Sequence, residues 1–584
     1  MNEIKTSCAS TDQQITIWES VDWNKCEAKV KKLQTRIVKA QKDSRHNKVK
    51  ALQWILIHSF YAKALVIKQV TSNKGSDTAG VDGVTWSTHL SKSKAISDLK
   101  QRGYTPQPLK RVHIKKSNGK LRPLGIPTMK DRAMQALYLL ALEAISETTA
   151  DKSSFGFRKH RSTKDAISQC SLHLSPDYQC KWILEGDIKG CFDHISHKWL
   201  INNIPMDKIM LRKWLKCGFV FNKQFFPTKE GIPQGGIISP TLANMTLDGL
   251  QGLLAKRFKA INTRKMYYNP KVYLVRYADD FKIFCRTKSD ADRAFLAVKQ
   301  WLRDRLKLEI SKEKSKVVNL KKQYSEFLGF KLKAVKKGDK YVVKSHMSDK
   351  ALQSEKQKLS AKIKEMQRPK DLLDEKRMLN LYNSMVWGIH NYYRFATHIS
   401  IDCAKLQRSL SIVMRNRLGN RLGKTGTTNN AYILKNYGAS KRIRYLNKYP
   451  LCPIGYIQTK APLYKKKEIC KYTQAGRAKI HENLKFDITV LLLLMRERHA
   501  NRSIEFMDNR LSLWAAQYGK CAVTGKELWI DEIHCHHKIP TENGGTDRYS
   551  NLIILHRDVH ALIHAVQPET IKAYLSRINP TQTM

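Results

Sequence analysis

The chain has 584 residues, room for three or four separately cored domains. With 106 Lys plus Arg against 50 Asp plus Glu, its formal net charge is +56, far beyond what solubility requires, so the leading partner is a polyanion, nucleic acid above all. A simple solvated-surface origin is disfavoured because helices laced with Lys and Glu would carry balancing acids, and twelve scattered cysteines exclude a disulfide framework and fit reduced thiols in a cytosol-like compartment.

The first residues, MNEIKTSCASTDQQ, lack the basic and apolar regions of a secretory signal, and no repeat or low-complexity tract follows. Residues 1–100 form an N-terminal extension that includes TAGVDGVTW (Thr78 to Trp86). KKSNGKLRPLGIPTMKDR (Lys115 to Arg132) then puts Lys120 and Arg122 on a hairpin centred on Gly119, and SSFGFRKHRSTKDAI runs from Ser153 to Ile167. In WILEGDIKGCFDHI (Trp182 to Ile195) a strand through Ile183-Leu184 ends at Asp187, an acid at a strand end instead of a solvated helix face. GIPQGGIISPTLANMTL (Gly231 to Leu247) carries Gly231, Gly235 and Gly236 around Pro233-Gln234, which allows another backbone to come close.

VYLVRYADDFKIFC (Val272 to Cys285) is the most informative stretch. β-branched and aromatic residues predict strands through Val272–Val275 and Phe281–Phe284, with Tyr277-Ala278-Asp279-Asp280 at the hairpin between them. A merely polar hairpin tip would be expected to contain Gly or Asn, and this one has neither. Adjacent carboxylates repel and raise one another's pKa unless a cation lies between them. Asp187, Asp279 and Asp280 together make the oxygen-rich set that Mg²⁺ prefers, and two metals about 3.5–4 Å apart clamp the attacking and leaving oxygens of an in-line phosphoryl transfer.

Beyond LKLEISKEKSKVVN (Leu306 to Asn319) and SEFLGFKL (Ser325 to Leu332), apolar residues keep helical spacing at Leu352, Leu359, Ile363 and Met366, then at Met378, Leu381, Met385, Ile389 and Tyr392. Residues 321–480 hold 36 basic and 10 acidic side chains, including KRIRYLNK (Lys441 to Lys448) and YKKKEICK (Tyr464 to Lys471). The apolar run Ile488 to Met495 is too short to span a bilayer. Residues 481–584 are charge-balanced, 12 basic to 12 acidic, and contain eight of the nineteen histidines. This end is a separate module.

The ordered blocks resemble those of reverse transcriptases. Tyr277-Ala278-Asp279-Asp280 is similar to the catalytic box of that family, and six further blocks around it follow in family order over about 220 residues. The resemblance implies a right-hand polymerase of α+β multidomain class, with the start of the fingers within 1–100 and the fingers and a palm built on an antiparallel sheet at 101–335. Asp187, Asp279 and Asp280 would be both catalytic and metal-binding, holding two Mg²⁺. It further implies that Lys120 and Arg122 meet the triphosphate of an incoming deoxynucleotide, the Arg as a planar fork and the Lys as a point charge. Phe192 would lie beneath its sugar and exclude a 2′-hydroxyl, Gln234 would sit near the nascent base pair, and Lys314 would stand near the entering triphosphate.

WGIHNYYR (Trp387 to Arg394) and the basic helical stretch around it resemble the maturase, or X, domain of group II intron proteins, which implies an α-helical thumb and maturase domain at 336–474 and a DNA-binding segment near 475–515. KCAVTGKELWIDEIHCHHKIPTENGGTDRYSNLIILHRDVHALIH (Lys520 to His564) resembles an HNH nuclease, a small ββα-metal domain at 516–584. In it His537 would activate water, His536 and His560 would hold one divalent metal, and Asn551 would brace the base. Where relatives carry two Cys-x-x-Cys pairs, this chain has Cys521 with Thr524 and His556 with Val559, so four matched zinc ligands are absent; Cys535, His556 and Cys521 remain as partial ligands.

The expectation is therefore a multifunctional protein: RNA-directed DNA polymerase, maturase aiding splicing of its own group II intron RNA, and endonuclease nicking target DNA for target-primed reverse transcription. A splicing-only maturase, and a reverse transcriptase with a defence or diversification role, are the alternatives. No membrane partner is expected; a homodimer is one arrangement the sequence allows. The expected location is the bacterial cytoplasm, with the nucleoid during work on DNA, or an organelle.

Overall fold

The computed structural model describes residues 17–115, 119, 121–176, 178, 180–258, 272–428, 430–461, 469–481, 488–497 and 502–578. Two compact units emerge, Met1–Glu19 with Leu33–Lys467, and Ser20–Lys32 with Glu468–Met584.

The strands of the first unit are β1 (Leu109–Lys115), β2 (Leu121–Ile126), β3 (Trp182–Gly186), β4 (Phe219–Phe221), β5 (Gln224–Phe226), β6 (Val272–Tyr277), β7 (Asp280–Cys285), β8 (Lys316–Asn319), β9 (Ser325–Phe327), β10 (Phe330–Lys337), β11 (Lys340–Met347), β12 (Leu422–Gly423), β13 (Arg444–Leu446) and β14 (Tyr449–Leu451). The sheet that matters for chemistry has the order β6-β7-β3-β8 and is antiparallel throughout. β7 reads as a nearly continuous apolar run because both of its faces are covered: Phe281, Ile283, Phe284 and Cys285 are each at most 1% exposed. The helices Thr163–His173 and Lys288–Trp301 pack against the sheet.

A second sheet, β2-β1-β4-β5, contains the predicted hairpin, with Lys115 opposite Leu121 and Gly119 at φ +79°. β2 leads into the long helix Met129–Thr149, which is capped by Thr128, whose hydroxyl accepts from the Asp131 amide at 3.1 Å.

The helices Asp349–Glu365, Leu372–Tyr393 and Ile399–Leu418 build the core of the C-terminal part of this unit. Leu359, Ile363 and Met366 are buried as their spacing predicts. On Leu372–Tyr393 the expected stripe holds at Ile389 and, half-buried against the core, at Met378 and Met385, but needs correction at Leu381 and Tyr392. Leu381 is 45% exposed and Tyr392 37%, whereas Leu379, Tyr382, Val386, Ile389 and Tyr393 face the core. Apolar residues lie on several sides of this helix, and reading it one residue out of phase rotates the deduced face by about 100°.

The second unit packs the helices Ile488–Arg496 and Ile504–Ala516 around Trp514, together with β15 (Ile533–His537), β16 (Leu552–His556) and the helices Arg557–His564 and Pro568–Ile578. β15 and β16 pair antiparallel, His537 opposite Leu552. Among the described residues no helix is long and apolar enough to cross a membrane, and every cysteine is a free thiol.

The corrected stripe is testable by chemical denaturation. Leu379→Ala should cost about 2–5 kcal/mol as a cavity-forming core change, while Leu381→Gln should stay within about 0.5 kcal/mol.

Candidate active sites

The centre of the first unit lies where three strand ends meet. In the β3–β7 ladder the last pair is Gly186 opposite Phe281. One step beyond it stand Asp187 and Asp280, neighbours across the ladder. β6 and β7 close with Tyr277 opposite Asp280, leaving Ala278 and Asp279 as a two-residue turn. Such a turn needs a positive φ that usually selects Gly; here Ala278 takes it, at φ +58°.

The neighbourhood holds that strained turn in place. Arg276, with no exposed surface, donates from Nη1 to the Ala278 carbonyl and to Asn244 Oδ1, both at 3.1 Å, and from Nη2 to Asp248. Asn244 in turn donates to the Gly156 carbonyl at 2.8 Å. Gly156 is required there because a Cβ would overlap the Ala278 amide nitrogen. The Ser153–Phe155 segment also pairs with Arg276 through backbone bonds of 2.9 Å in each direction. An arginine inside a strand gives no sequence signal of this role, and Arg276, Asn244 and Asp248 went unread.

Burial, the first cause, then Asp279, Asp187 and Glu185 push the Asp280 carboxyl up to about 6, with Lys282 opposing. Burial and Asp187 likewise raise Asp279, against Arg122 and Lys314. Asp187 is anchored by its amide, which donates to Ser315 Oγ at 3.1 Å, and its Oδ2 accepts from Lys314 Nζ at 3.0 Å. Oxygen donors, mutual repulsion and desolvation all suit a hard divalent cation. The three carboxylates are held less tightly than a closed cage: among the described residues only His536, His560 and His564 bring all their ligand atoms within 4.8 Å of one another.

The other expected contacts surround this centre. Arg122 Nε donates to Gln234 Oε1 at 2.9 Å, so these two form one unit. The Gln234 carbonyl also accepts from the Gly125 amide at 2.7 Å, tying the Pro-Gln-Gly loop to β2. Gly235 sits at φ +114° where a side chain would strike the Gly125 carbonyl. Phe192 is half-buried and meets Phe157 edge to face at 6.3 Å. Phe157 is 52% exposed and holds φ +58°, an unusual conformation for a bulky residue and a second feature without a sequence signal. Lys314 stands on the Asp187 carboxylate itself. Lys120 lies outside the described residues.

In the second unit, strand alternation puts His536 on the face met by the helix Arg557–His564. His536 and His560 approach with their rings 5.0 Å apart, and His564, one turn after His560, completes the cluster. His564 could have been found from its i,i+4 spacing had the helix register been trusted. His534 stacks on His560 at 3.7 Å. Burial first, then the neighbouring His534, His536 and His564, push His560 down to about 4. Neutral imidazoles are the form that ligates a transition metal.

His537 points its Nε2 at Asp547 Oδ1, 2.7 Å away, and lies on the Phe506 ring. With Nε2 so engaged, Nδ1 is left as the proton acceptor. The Asn551 amide bonds the loop instead: it donates to the Ile539 and Thr546 carbonyls at 3.0 and 2.9 Å and accepts from the Ile539 amide at 2.9 Å. It therefore steadies His537 through the loop that carries Asp547, a residue sequence reading missed. At the positions where relatives carry Cys-x-x-Cys pairs, the Cys521 sulfur accepts from the His556 amide at 3.3 Å. Burial pushes this thiol up, but hydrogen bonds from Thr524, His556 and Val523 outweigh it and hold it below its ordinary value. His556 Nδ1 accepts from the Asp558 amide at 3.1 Å and Nε2 lies 3.4 Å from Glu532; Cys535 is buried with its thiol pushed up to about 12.

Comparison with known families matches residues 114–332 to reverse transcriptase (RNA-dependent DNA polymerase), residues 18–99 to the N-terminal domain of reverse transcriptase, and residues 520–565 to HNH endonuclease. Protein YkfC of Escherichia coli is 34% identical over 317 residues, 48% of this chain and 83% of YkfC. The group II intron-encoded protein LtrA of Lactococcus lactis is 29% identical over 417 residues, covering 56% of this chain and 68% of LtrA. The putative COX1/OXI3 intron 2 protein of Saccharomyces cerevisiae is 26% identical over 453 residues, 64% of this chain but half of the yeast protein.

Two predictions follow from the carboxylate centre and its brace. Above pH 6 the metal-free fold must carry a buried Asp280 carboxylate, a cost absent once that group is protonated. Asp280→Asn should therefore raise the melting temperature in metal-free buffer at pH 7.5, with the gain shrinking towards pH 5; a pH-independent gain would contradict this. Arg276→Met leaves Asp248 buried without its ion-pair partner, held only by the Asp151 amide, and should destabilise the unit by about 3–5 kcal/mol in denaturant titration.

Proposed function

This chain belongs to the group II intron-encoded reverse transcriptases that carry an HNH endonuclease domain, and from that premise we propose how its residues divide the work. It is an RNA-directed DNA polymerase with a maturase and an endonuclease module in one polypeptide. We assign the fingers and palm to 101–335, the thumb and maturase domain to 336–474, a DNA-binding segment to about 475–515 and the nuclease to 516–584. The observation that carries the polymerase reading is the ladder register that makes Asp187 the cross-strand neighbour of Asp280, beside Asp279.

Divalent magnesium, when bound by Asp187, Asp279 and Asp280, would supply charge neutralisation for in-line transfer to a primer 3′-hydroxyl. The chain's own residues orient the reactants. Arg122, held by Gln234, offers its remaining guanidinium donors to the triphosphate. Phe192, backed edge-on by Phe157, supports the sugar and crowds a 2′-hydroxyl. Lys314 holds the Asp187 carboxylate and, exposed beside it, would offer its charge to the triphosphate. In the nuclease, Asp547 fixes the tautomer of His537, whose Nδ1 takes a proton from water. His536, His560 and His564 would hold one divalent metal at the scissile phosphate.

The partners follow from these roles: the chain's own intron RNA, a DNA target and deoxynucleoside triphosphates. The intron RNA reverse-splices into one strand, the nuclease nicks the other, and the new 3′-hydroxyl primes synthesis. The setting is a reducing compartment, consistent with the free thiols.

Module-specific variants test this. Asp279→Ala with Asp280→Ala should lower primer extension on an RNA template by at least about a hundredfold while leaving intron RNA affinity near that of the parent. His537→Ala should abolish nicking of the second DNA strand and spare primer extension. Loss of RNA affinity in the first variant would break the proposed division of labour.

A further inference from the structure

Within the segment assigned to the maturase domain lies a cleft outside both active centres, a cavity of about 630 Å³ between the helix Ile399–Leu418 and the Arg442–Arg444 segment entering β13. Gln407, Arg408, Ser411 and Arg415 line one wall, recurring at three- and four-residue steps along one helix face. Arg442 and Arg444 line the other, with the apolar side chains of Met414 and Leu422 between. Four guanidiniums thus converge on one cavity whose lining contains no acid.

Each wall is fixed in place. Gln407 accepts from the Gly455 amide and donates to Ser411 Oγ, both at 3.1 Å. Arg444 is turned onto its own backbone, donating to the Lys441 and Ile443 carbonyls at 3.2 and 2.8 Å. Arg408, Arg415 and Arg442 have no ion pair among the described residues. Gathering like charges without counter-charge costs stability in the empty protein, and a bound anion offsets that cost.

Shape selects among the anions. The volume falls in the range that accepts a nucleotide-sized group, about 300–1,000 Å³. An apolar floor below cationic walls suits a flat base on the floor with phosphates on the guanidiniums. A duplex keeps its bases stacked inside and presents a convex backbone, so it does not enter; an unstacked base of a single strand does. We propose that this cleft is a binding site for a single-stranded RNA segment, seating one unstacked nucleotide with its flanking phosphates on Arg408, Arg415 and Arg442. The source of that strand, the chain's own intron, rests on the maturase reading.

The test uses the full-length chain and fluorescence anisotropy across a salt series. The probes are single-stranded oligouridylate, oligothymidylate of equal length, duplex DNA and the intron RNA flanking the reading frame. Arg408→Gln/Arg415→Gln/Arg442→Gln is compared with Lys350→Gln/Lys364→Gln/Lys370→Gln, which removes equal charge elsewhere in the same domain. Oligouridylate affinity should fall at least tenfold more in the arginine variant. Its salt dependence should be shallower by about 2, near 0.7 for each of three single-strand phosphate contacts, with primer extension unchanged. Equal losses in the two variants, an equal loss on duplex DNA, or a parallel loss of primer extension would each overturn the assignment. A smaller loss on oligouridylate than on oligothymidylate would overturn its RNA character. Should the parent bind oligouridylate through these arginines yet fail to bind the flanking RNA, the maturase reading falls and the cleft stands.

Discussion

Three half-buried carboxylates brought together at the end of a β-sheet are the constraint on which the first unit depends. Folding of β3, β6 and β7 forces Asp187, Asp279 and Asp280 into one neighbourhood, because antiparallel pairing leaves no other position for a residue one step past Gly186 and Phe281. Burial and like-charge repulsion then make the ionised state costly, as the raised Asp279 and Asp280 carboxyls record. A protein gains nothing structural from that arrangement. A divalent cation held by these carboxylates would offset that cost and would supply charge neutralisation for phosphoryl transfer.

The turn that presents Asp279 is maintained from behind. Ala278 occupies a backbone region that ordinarily favours Gly, and the conformation persists because Arg276 reaches the Ala278 carbonyl while Gly156 leaves room for its amide. The Arg276 guanidinium is itself held by Asp248 and Asn244, and its backbone by Ser153 and Phe155, so these four residues bear on the hairpin from behind it. Blocks separated widely in sequence thus converge on one turn.

Much of this was legible in the sequence where local chemistry decided it. The β-branched and aromatic flanks of Ala278-Asp279 gave the hairpin, and the strand before Asp187 followed from Ile183-Leu184. What stayed hidden was decided by tertiary packing. An arginine in a strand, such as Arg276, reads as solvent-facing until its buried partners are known. The helix Leu372–Tyr393 carries apolar side chains on several sides, so two members of its expected stripe, Leu381 and Tyr392, turn out to be exposed. His564 and Asp547 entered the nuclease centre only once the helix Arg557–His564 and the loop before Asn551 had definite geometry.

The most direct test is the location of a divalent ion in the polymerase centre with primer, RNA template and a non-reacting deoxynucleotide bound. Crystals grown with Mn²⁺ should give anomalous density bridging the Asp187 and Asp280 carboxylates at about 2.0–2.2 Å, and Asp187→Asn should remove it. Ordered nucleotide at the end of β3 with no ion between those carboxylates would contradict the account.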